Sequence, residues 1–183
     1  MQRAAFLDRD GVINEDRDDY VKNLSELRVF PYAPDAIRRL TDAGFEVIVV
    51  SNQQGVAKGL VSPENLLAIQ NEIARLVTQA GGRISGFYYC THLAGEDCSC
   101  RKPKPGLIRR AAEEHGIDLQ SSFMIGDSEK DIAAGAEAGC RTVLVLTSLD
   151  AQQAASMRSR PDMIARDLAE AADRVISFDP SRH

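Results

Sequence analysis

Two aspartates, Asp8 and Asp10, directly follow a short apolar run, Ala4-Ala5-Phe6-Leu7, and Gly11 comes at once after them. A run of that length closed by a turn signal reads as a buried strand. Carboxylates two residues apart at a strand end can both reach one metal ion and one substrate. Taken alone, such a stretch is also what an acidic turn looks like. The choice depends on whether the chain supplies partners, and three other places offer them: Ser51-Asn52-Gln53, Arg101-Lys102-Pro103, and Gly126-Asp127 with Asp131.

Moving a phosphoryl group onto a carboxylate requires an ionised nucleophile that approaches a dianion. A Mg²⁺ ion resolves that conflict, and its preference for hard oxygen calls for carboxylates from more than one segment. Asp8, at the strand tip, suits the nucleophile. Asp10 suits proton transfer, first to the leaving oxygen and then from the attacking water. Asp127 joins Asp8 and Asp10 in the expected metal site, and Asp131, one helical turn on, holds a metal-bound water. The outer phosphate oxygens need donors, for which Ser51 and Lys102 are the candidates; Pro103 restricts the backbone before it. Each piece has a plainer reading: a turn at Ser51, a solvated basic run at Arg101, Lys102 and Lys104, an acid at a helix N-terminus at Asp127. All four in this order are far more specific than any one.

The elements that must position these groups alternate along the chain. Val47-Ile48-Val49-Val50 is a continuous β-branched run, as in a strand buried on both faces. Phe87 to Cys90, Ser122 to Ile125 and Thr142 to Leu146 read as further strands, and Pro161 to Ile164 as a short edge strand. Helices are expected over Asp35 to Ala43, from Ser62-Pro63 to Ala80, from Pro105-Gly106 to Gly116 and over Asp131 to Ala138. Asp167 and Glu170 form a capping box for a last helix. Asn14 to Ser25 is a polar loop with Tyr20-Val21 as its anchor, and Thr147 to Arg160 reads as a polar, mobile segment. The alternation predicts a three-layer α/β domain with a mostly parallel sheet over residues 1–183, with ligands outside the carboxyl ends of the strands.

Composition agrees with a soluble enzyme: 183 residues, 44% hydrophobic, 27% charged, net charge -5. The acidic balance argues against nucleic acid as partner. No apolar run approaches the roughly 18 residues of a membrane span. The chain enters a strand at once, with no room for a signal peptide, so the expected setting is the cytoplasm, as a monomer without membrane or nucleic-acid partners.

Cys90-Thr91-His92 and Cys98-Ser99-Cys100 form a C-x-H…C-x-C arrangement with five residues between the halves. Three thiolates and an imidazole fit a closed tetrahedral Zn²⁺ site of structural type. The alternative is buried cysteines beside a surface histidine. Gly95, Glu96 and Asp97 are loop residues, which favours the metal, and a metal there would pin the chain entering Arg101-Lys102. Cys140 reads as a small core residue.

With Asp8-x-Asp10-Gly11-Val12, Ser51-Asn52-Gln53, Lys102-Pro103 and Gly126-Asp127-x3-Asp131 in hand, the chain resembles the haloacid dehalogenase superfamily over about residues 3–147. The resemblance implies a Rossmann-like core, Mg²⁺ and an aspartyl-phosphate on Asp8. The intervals between motifs, about 40 residues from Asp10 to Ser51 and about 50 from Ser51 to Lys102, are filled by core elements. A capless enzyme with an open site is therefore expected. The cysteine arrangement followed by Arg-Lys-Pro-Lys-Pro-Gly is similar to the subgroup of heptose-bisphosphate and histidinol-phosphate phosphatases. Ser51 to Gly59 stands closer to the heptose pattern, and the short His92-to-Cys98 spacing pulls weakly toward the other. Thr91 and Val12 depart from the subgroup's usual proline and threonine. The resemblance implies a sugar-bisphosphate 7-phosphatase, with histidinol phosphate as the alternative substrate and a non-catalytic zinc-stabilised module as a third possibility. It places Asp16, Tyr20, Ser51, Asn52, Gln53, Gln54, Arg101 and Lys102 in the substrate site. Arg101 would hold a second phosphate. The Asp16 to Tyr20 segment is one residue longer than the subgroup's.

Overall fold

The computed structural model describes residues 2–178; residue 1 and residues 179–183 of the expected domain lie outside them. One sheet of six strands runs in the order β3-β2-β1-β4-β5-β6, and every pairing is parallel. The strands are β1 (Arg3–Leu7), β2 (Phe45–Asn52), β3 (Gly86–Cys90), β4 (Phe123–Gly126), β5 (Arg141–Val145) and β6 (Met163–Ala165). Between and after them lie α1 (Ala33–Asp42), α2 (Pro63–Gln79), α3 (Gly106–His115), α4 (Glu129–Ala138), α5 (Ala151–Ser156) and α6 (Leu168–Ile176).

Strand periodicity divides the core into two layers. Ala5, Leu7, Val47, Val49, Ile125, Val143 and Val145 face one side, under buried residues of α1, α2 and α6. Ala4, Phe6, Ile48, Val50 and Met124 face the other, against Leu107, Ile108 and Ala111 of α3 and Ala134 of α4. Ile48 and Leu7 are wholly buried, and burying such a side chain contributes about 1.5–3 kcal/mol. This is why Val47–Val50 of β2 reads as an unbroken apolar run: neither face of the sheet meets water there.

Helix ends follow local chemistry. Ser62 caps α2 by accepting from the Asn65 N–H at 3.1 Å, with Pro63 in the first turn. Gly116 ends α3 in the left-handed conformation. At α4, Ser128 and Asp131 form a capping box, so a site residue also builds the helix that carries it.

Three expectations change. Thr147 to Arg160 contains α5, capped by Asp150 and seated through Ala154 and Met157 on Ile132 and Leu144. The last strand begins at Met163 because Asp162 is already engaged, accepting from the Thr142 N–H at 2.7 Å and hydroxyl at 2.8 Å. Asp167 caps α6 as expected, accepting from the Glu170 N–H at 2.9 Å, but Glu170 accepts from the Arg166 N–H instead of closing the box.

Strand order reverses direction between β1 and β4: the chain runs outward through β2 and β3 on one side and through β5 and β6 on the other. Such a switch point opens a crevice at the carboxyl ends of the two central strands. No additional domain interrupts the segments after β1 or β2 among the described residues, so the crevice stays uncapped.

Candidate active site

Asp8 is the first residue past β1, and its N–H donates to Ile125 of β4 at 3.0 Å. Asp127 is the first residue past β4. The chain turns back at once after Asp8, with the Ile13 N–H on the Arg9 carbonyl at 2.8 Å and the Gly11 N–H on the Asn14 carbonyl at 2.7 Å. Gly11 has φ +79°, and a Cβ there would lie 1.9 Å from Asp127 Oδ2. Only glycine lets the two acid-bearing turns approach this closely. A Cβ on Gly126 would likewise lie 2.1 Å from the Asp131 Cβ.

Ligand oxygens of Asp8, Asp127 and Asp131 lie within 4.8 Å of one another. Lys102 is buried among them, its Nζ 3.0 Å from Asp8 Oδ1 and 2.6 Å from Asp131 Oδ1, and it donates to the Val50 carbonyl at 2.9 Å. Burial opposes its charge, but Asp131 and Asp8 outweigh burial and hold the ammonium above its ordinary range. One ammonium does not neutralise three carboxylates. Burial pushes the Asp8 carboxyl up to about 6; Lys102 pulls the other way, while Asp131 and Asp10 add to the rise. Burial, then Asp8 and Asp131, push Asp127 up to about 8. A donor set of crowded, hard oxygens with surplus negative charge fits a divalent cation of the Mg²⁺ kind.

Asp10 sits apart from this cluster. Its carboxylate accepts from Arg9 Nε at 3.1 Å and Nη2 at 2.8 Å, from Asn14 Nδ2 at 2.8 Å and from Gln53 Nε2 at 2.8 Å. Its side chain is held by these donors, outside the group of side-chain oxygens formed by Asp8, Asp127 and Asp131. Arg9 is 1% exposed and was not anticipated, since an arginine between two acids reads as solvated.

The end of β2 and the residues that follow divide their work. Ser51 is buried at the strand end. Asn52 gives both amide functions to Lys102, donating to its carbonyl at 3.0 Å and accepting its N–H at 3.0 Å. Gln53 turns inward and donates to Asp10 and, at 3.1 Å, to Ser51 Oγ. Gln54 donates to the Tyr20 hydroxyl at 2.9 Å and accepts from Arg101 at 3.2 Å. Lys58 also donates to that hydroxyl, at 2.8 Å, and Tyr20 has φ 68°. Tyr20-Val21 is thus an anchor as expected: the ring hydroxyl is held from the β2 side while Val21 enters the core.

A cleft of about 390 Å³ opens over these residues. Asp8, Asp10, Asp16, Tyr20, Ser51, Asn52, Gln54, Arg101, Lys102, Asp127 and Asp131 line it; Gln53 does not. Arg17, Lys130, Ser148 and Leu149 line it without having been singled out. Ser148 and Thr147 follow β5 as the other site residues follow their strands, and that position was the signal available for them. Thr147 donates to the Gly11 carbonyl and Ser148 to Asp127.

Beside the cleft, Cys90 ends β3, and its Sγ lies 3.5 Å from His92 Nδ1 and 3.8 Å from Cys98 Sγ; Cys100 Sγ lies 3.3 Å from the same nitrogen. A tetrahedral zinc with ordinary bond lengths sets sulfur–sulfur edges of about 3.8 Å and sulfur–nitrogen edges of about 3.5 Å. The four side chains fit that ion. Burial and the neighbouring Cys90 and Cys98 thiols push Cys100 up to about 12, a crowding that a cation relieves. Arg101 donates to the His92 carbonyl at 3.1 Å, so the loop and the cleft share this side chain.

The HAD-hydrolase-like family matches residues 99–171. The chain is 39% identical over 177 residues to the D-glycero-beta-D-manno-heptose-1,7-bisphosphate 7-phosphatase of Pseudomonas aeruginosa, covering 96% of this chain and 99% of that protein. Identity to the enzyme of the same name from Neisseria meningitidis serogroup A is 41% over 145 residues, 79% of this chain and 78% of that one. The crystal structure of D,D-heptose 1,7-bisphosphate phosphatase from B. bronchiseptica, complexed with magnesium and phosphate, superimposes with a TM-score of 0.88 at 36% identity, covering 95% and 98% of the two chains. Shared sequence over nearly the full length and a shared fold around the switch point lead to one conclusion: this chain belongs to the D-glycero-beta-D-manno-heptose-1,7-bisphosphate 7-phosphatase family of HAD-like hydrolases.

Proposed function

We propose that this chain is a Mg²⁺-dependent phosphomonoesterase that removes the 7-phosphate from D-glycero-β-D-manno-heptose 1,7-bisphosphate, a step in carbohydrate metabolism. The observation that carries the reading is the convergence of Asp8, Asp127 and Asp131 on one point with Lys102 buried between them. The names of the relatives supply the substrate and its anomer.

Asp8 and Asp127, with Asp131 through a bound water, would hold Mg²⁺, which when bound offsets the charge between the carboxylates and the phosphate. Arg9 N–H and Lys102 hold Asp8 Oδ1, at 2.7 and 3.0 Å, and the other oxygen attacks phosphorus. The bond from phosphorus to the sugar oxygen breaks, and Asp10 gives its proton to that oxygen. Asp10 then takes a proton from water as the water oxygen attacks phosphorus. The acyl phosphate bond breaks, inorganic phosphate leaves, and Asp8 is regenerated. Arg9, Asn14 and Gln53 keep Asp10 aimed through both half-reactions. Ser51 and Lys102 bind the transferring phosphoryl oxygens, and Asp16, Tyr20, Gln54 and Arg101 meet the sugar and its second phosphate. Zinc on Cys90, His92, Cys98 and Cys100 has a structural role.

The test is phosphate release from the β-heptose 1,7-bisphosphate and from histidinol phosphate, side by side, with Mg²⁺. The expected result is a kcat/KM at least about 100-fold higher for the bisphosphate, a heptose 1-phosphate product, and no turnover by Asp8→Asn or Asp10→Asn variants that remain folded. Equal or better use of histidinol phosphate would overturn the substrate, and an active Asp8→Asn variant would overturn the mechanism.

A further inference from the structure

Asp127 receives one side-chain donor among the described residues, the Ser148 hydroxyl, which bonds its Oδ2. Ser148 comes from a different element from the other members of the carboxylate cluster, the turn after β5. The turn is fixed from both directions. Thr147 donates to the Gly11 carbonyl on the β1 turn, and Asp150 caps α5, whose Ala154 and C-cap Met157 are buried. The contact is tight around a single atom: a Cβ on Gly11 would meet Asp127 Oδ2 at 1.9 Å and Ser148 Oγ at 2.9 Å. Gly11, Ser148 and Asp127 therefore converge at Oδ2.

A carboxylate on a short side chain can rotate about its last bond. A hydrogen bond to one oxygen removes that rotation and leaves the other oxygen for a cation. Groups that orient metal ligands in this way typically contribute tenfold or more to metal affinity. We infer that Ser148 is a positioning residue for the divalent cation: by holding Asp127 Oδ2 it aims the remaining oxygen toward Asp8 and Asp131. The inference rests on the Mg²⁺ reading above, and the turn after β5 thereby joins the segments that follow β1, β2, β3 and β4 in serving the reaction.

The experiment is calorimetric titration of Mg²⁺ into the full zinc-loaded chain, dialysed free of Mg²⁺, for the natural protein and for Ser148→Ala and Ser148→Thr, with melting curves of each without Mg²⁺. Ser148→Ala is expected to weaken Mg²⁺ binding about tenfold. Ser148→Thr, which keeps the hydroxyl, is expected to bind close to the natural chain. At saturating Mg²⁺ the kcat of Ser148→Ala should return to within about threefold, because the loss lies in metal affinity and not in the chemical step. An unchanged dissociation constant in Ser148→Ala overturns the inference, as does equal weakening in Ser148→Thr. A natural protein that binds no Mg²⁺ would overturn the functional reading itself, which is a different result.

Discussion

Asn52 and Lys102, fifty residues apart in sequence, hold each other's position through a pair of hydrogen bonds, each 3.0 Å, that closes a ring between a side-chain amide and a main-chain peptide. The amide imitates a strand partner and fixes the backbone of the lysine. The Lys102 ammonium can then reach Asp8 and Asp131 without a search through rotamers.

Replacing Asn52 by Ala removes both bonds. At roughly 1 kcal/mol net for each, stability should fall by about 2 kcal/mol. Since Lys102 loses its register, kcat/KM should fall at least about tenfold. Urea denaturation and steady-state kinetics on Asn52→Ala check the two effects; a stable variant with full activity would show that Lys102 is positioned by other contacts.

Lys102 is the cation that lets three acids share a buried space. In Lys102→Met, Asp8 and Asp131 face each other uncompensated, and breaking a buried pair of this kind costs about 3–5 kcal/mol. The loss should be greatest near neutral pH without metal, smaller near about pH 5 where Asp8, pushed up to about 6 by burial, takes up a proton, and partly reversed by Mg²⁺. Denaturation midpoints of the variant at two pH values, with and without Mg²⁺, measure this.

Stability of the metal-free protein should fall as pH rises. Asp8 is pushed from 3.8 to about 6 and Asp127 from 3.8 to about 8, in both cases chiefly by burial. Between about pH 4 and 8 the folded chain keeps protons that the unfolded chain has released, so the pH derivative of unfolding free energy is negative there. Their contribution is complete below about pH 4 and is lost through the two folded values. Mg²⁺ competes with the same protons, and the rise in Tm that it produces should be larger near pH 8 than near pH 5. Melting curves across that range decide it; a Mg²⁺ effect independent of pH would count against cation binding between these carboxylates.

The zinc loop should affect binding more than chemistry. Cys98→Ser removes one of four ligands, so zinc content and Tm should both fall. Arg101 then loses the ordered His92 carbonyl that holds it, and KM for a sugar bisphosphate should rise about tenfold with a smaller change in kcat. Metal content by atomic emission, with kinetics on the same sample, tests the pair of outcomes.

Much of this arrangement is legible in the sequence. Asp8, Ser51 and Asp127 could be found because each ends an apolar run, and β2 and β5 could be found because burial on both faces leaves the central runs Val47–Val50 and Val143–Val145 wholly apolar. The cysteine loop was legible because tetrahedral coordination restricts ligand type and spacing. Arg9 was not: nothing local distinguishes a buried guanidinium from a solvated one, and its burial depends on Asp10 and the packed β1 turn. Gln53 reads as a substrate donor by its neighbours, yet the alternation along the end of β2 sends it inward. The α5 helix escaped because, among the described residues, it offers the core Ala154, with Met157 just past its end, too few for a period to appear.

The reversal of strand order between β1 and β4 has a consequence for the timing of function. Asp8 and Asp10 come from the first strand, Ser51 from the second, and Lys102, Asp127, Asp131 and Ser148 from the second half of the chain. A growing polypeptide that has formed only β1 to β3 owns Asp8 with neither the lysine nor the companion carboxylates that surround it in the folded chain. The carboxylate group closes only once β4 slots in beside β1, so its assembly is tied to the second half of the chain.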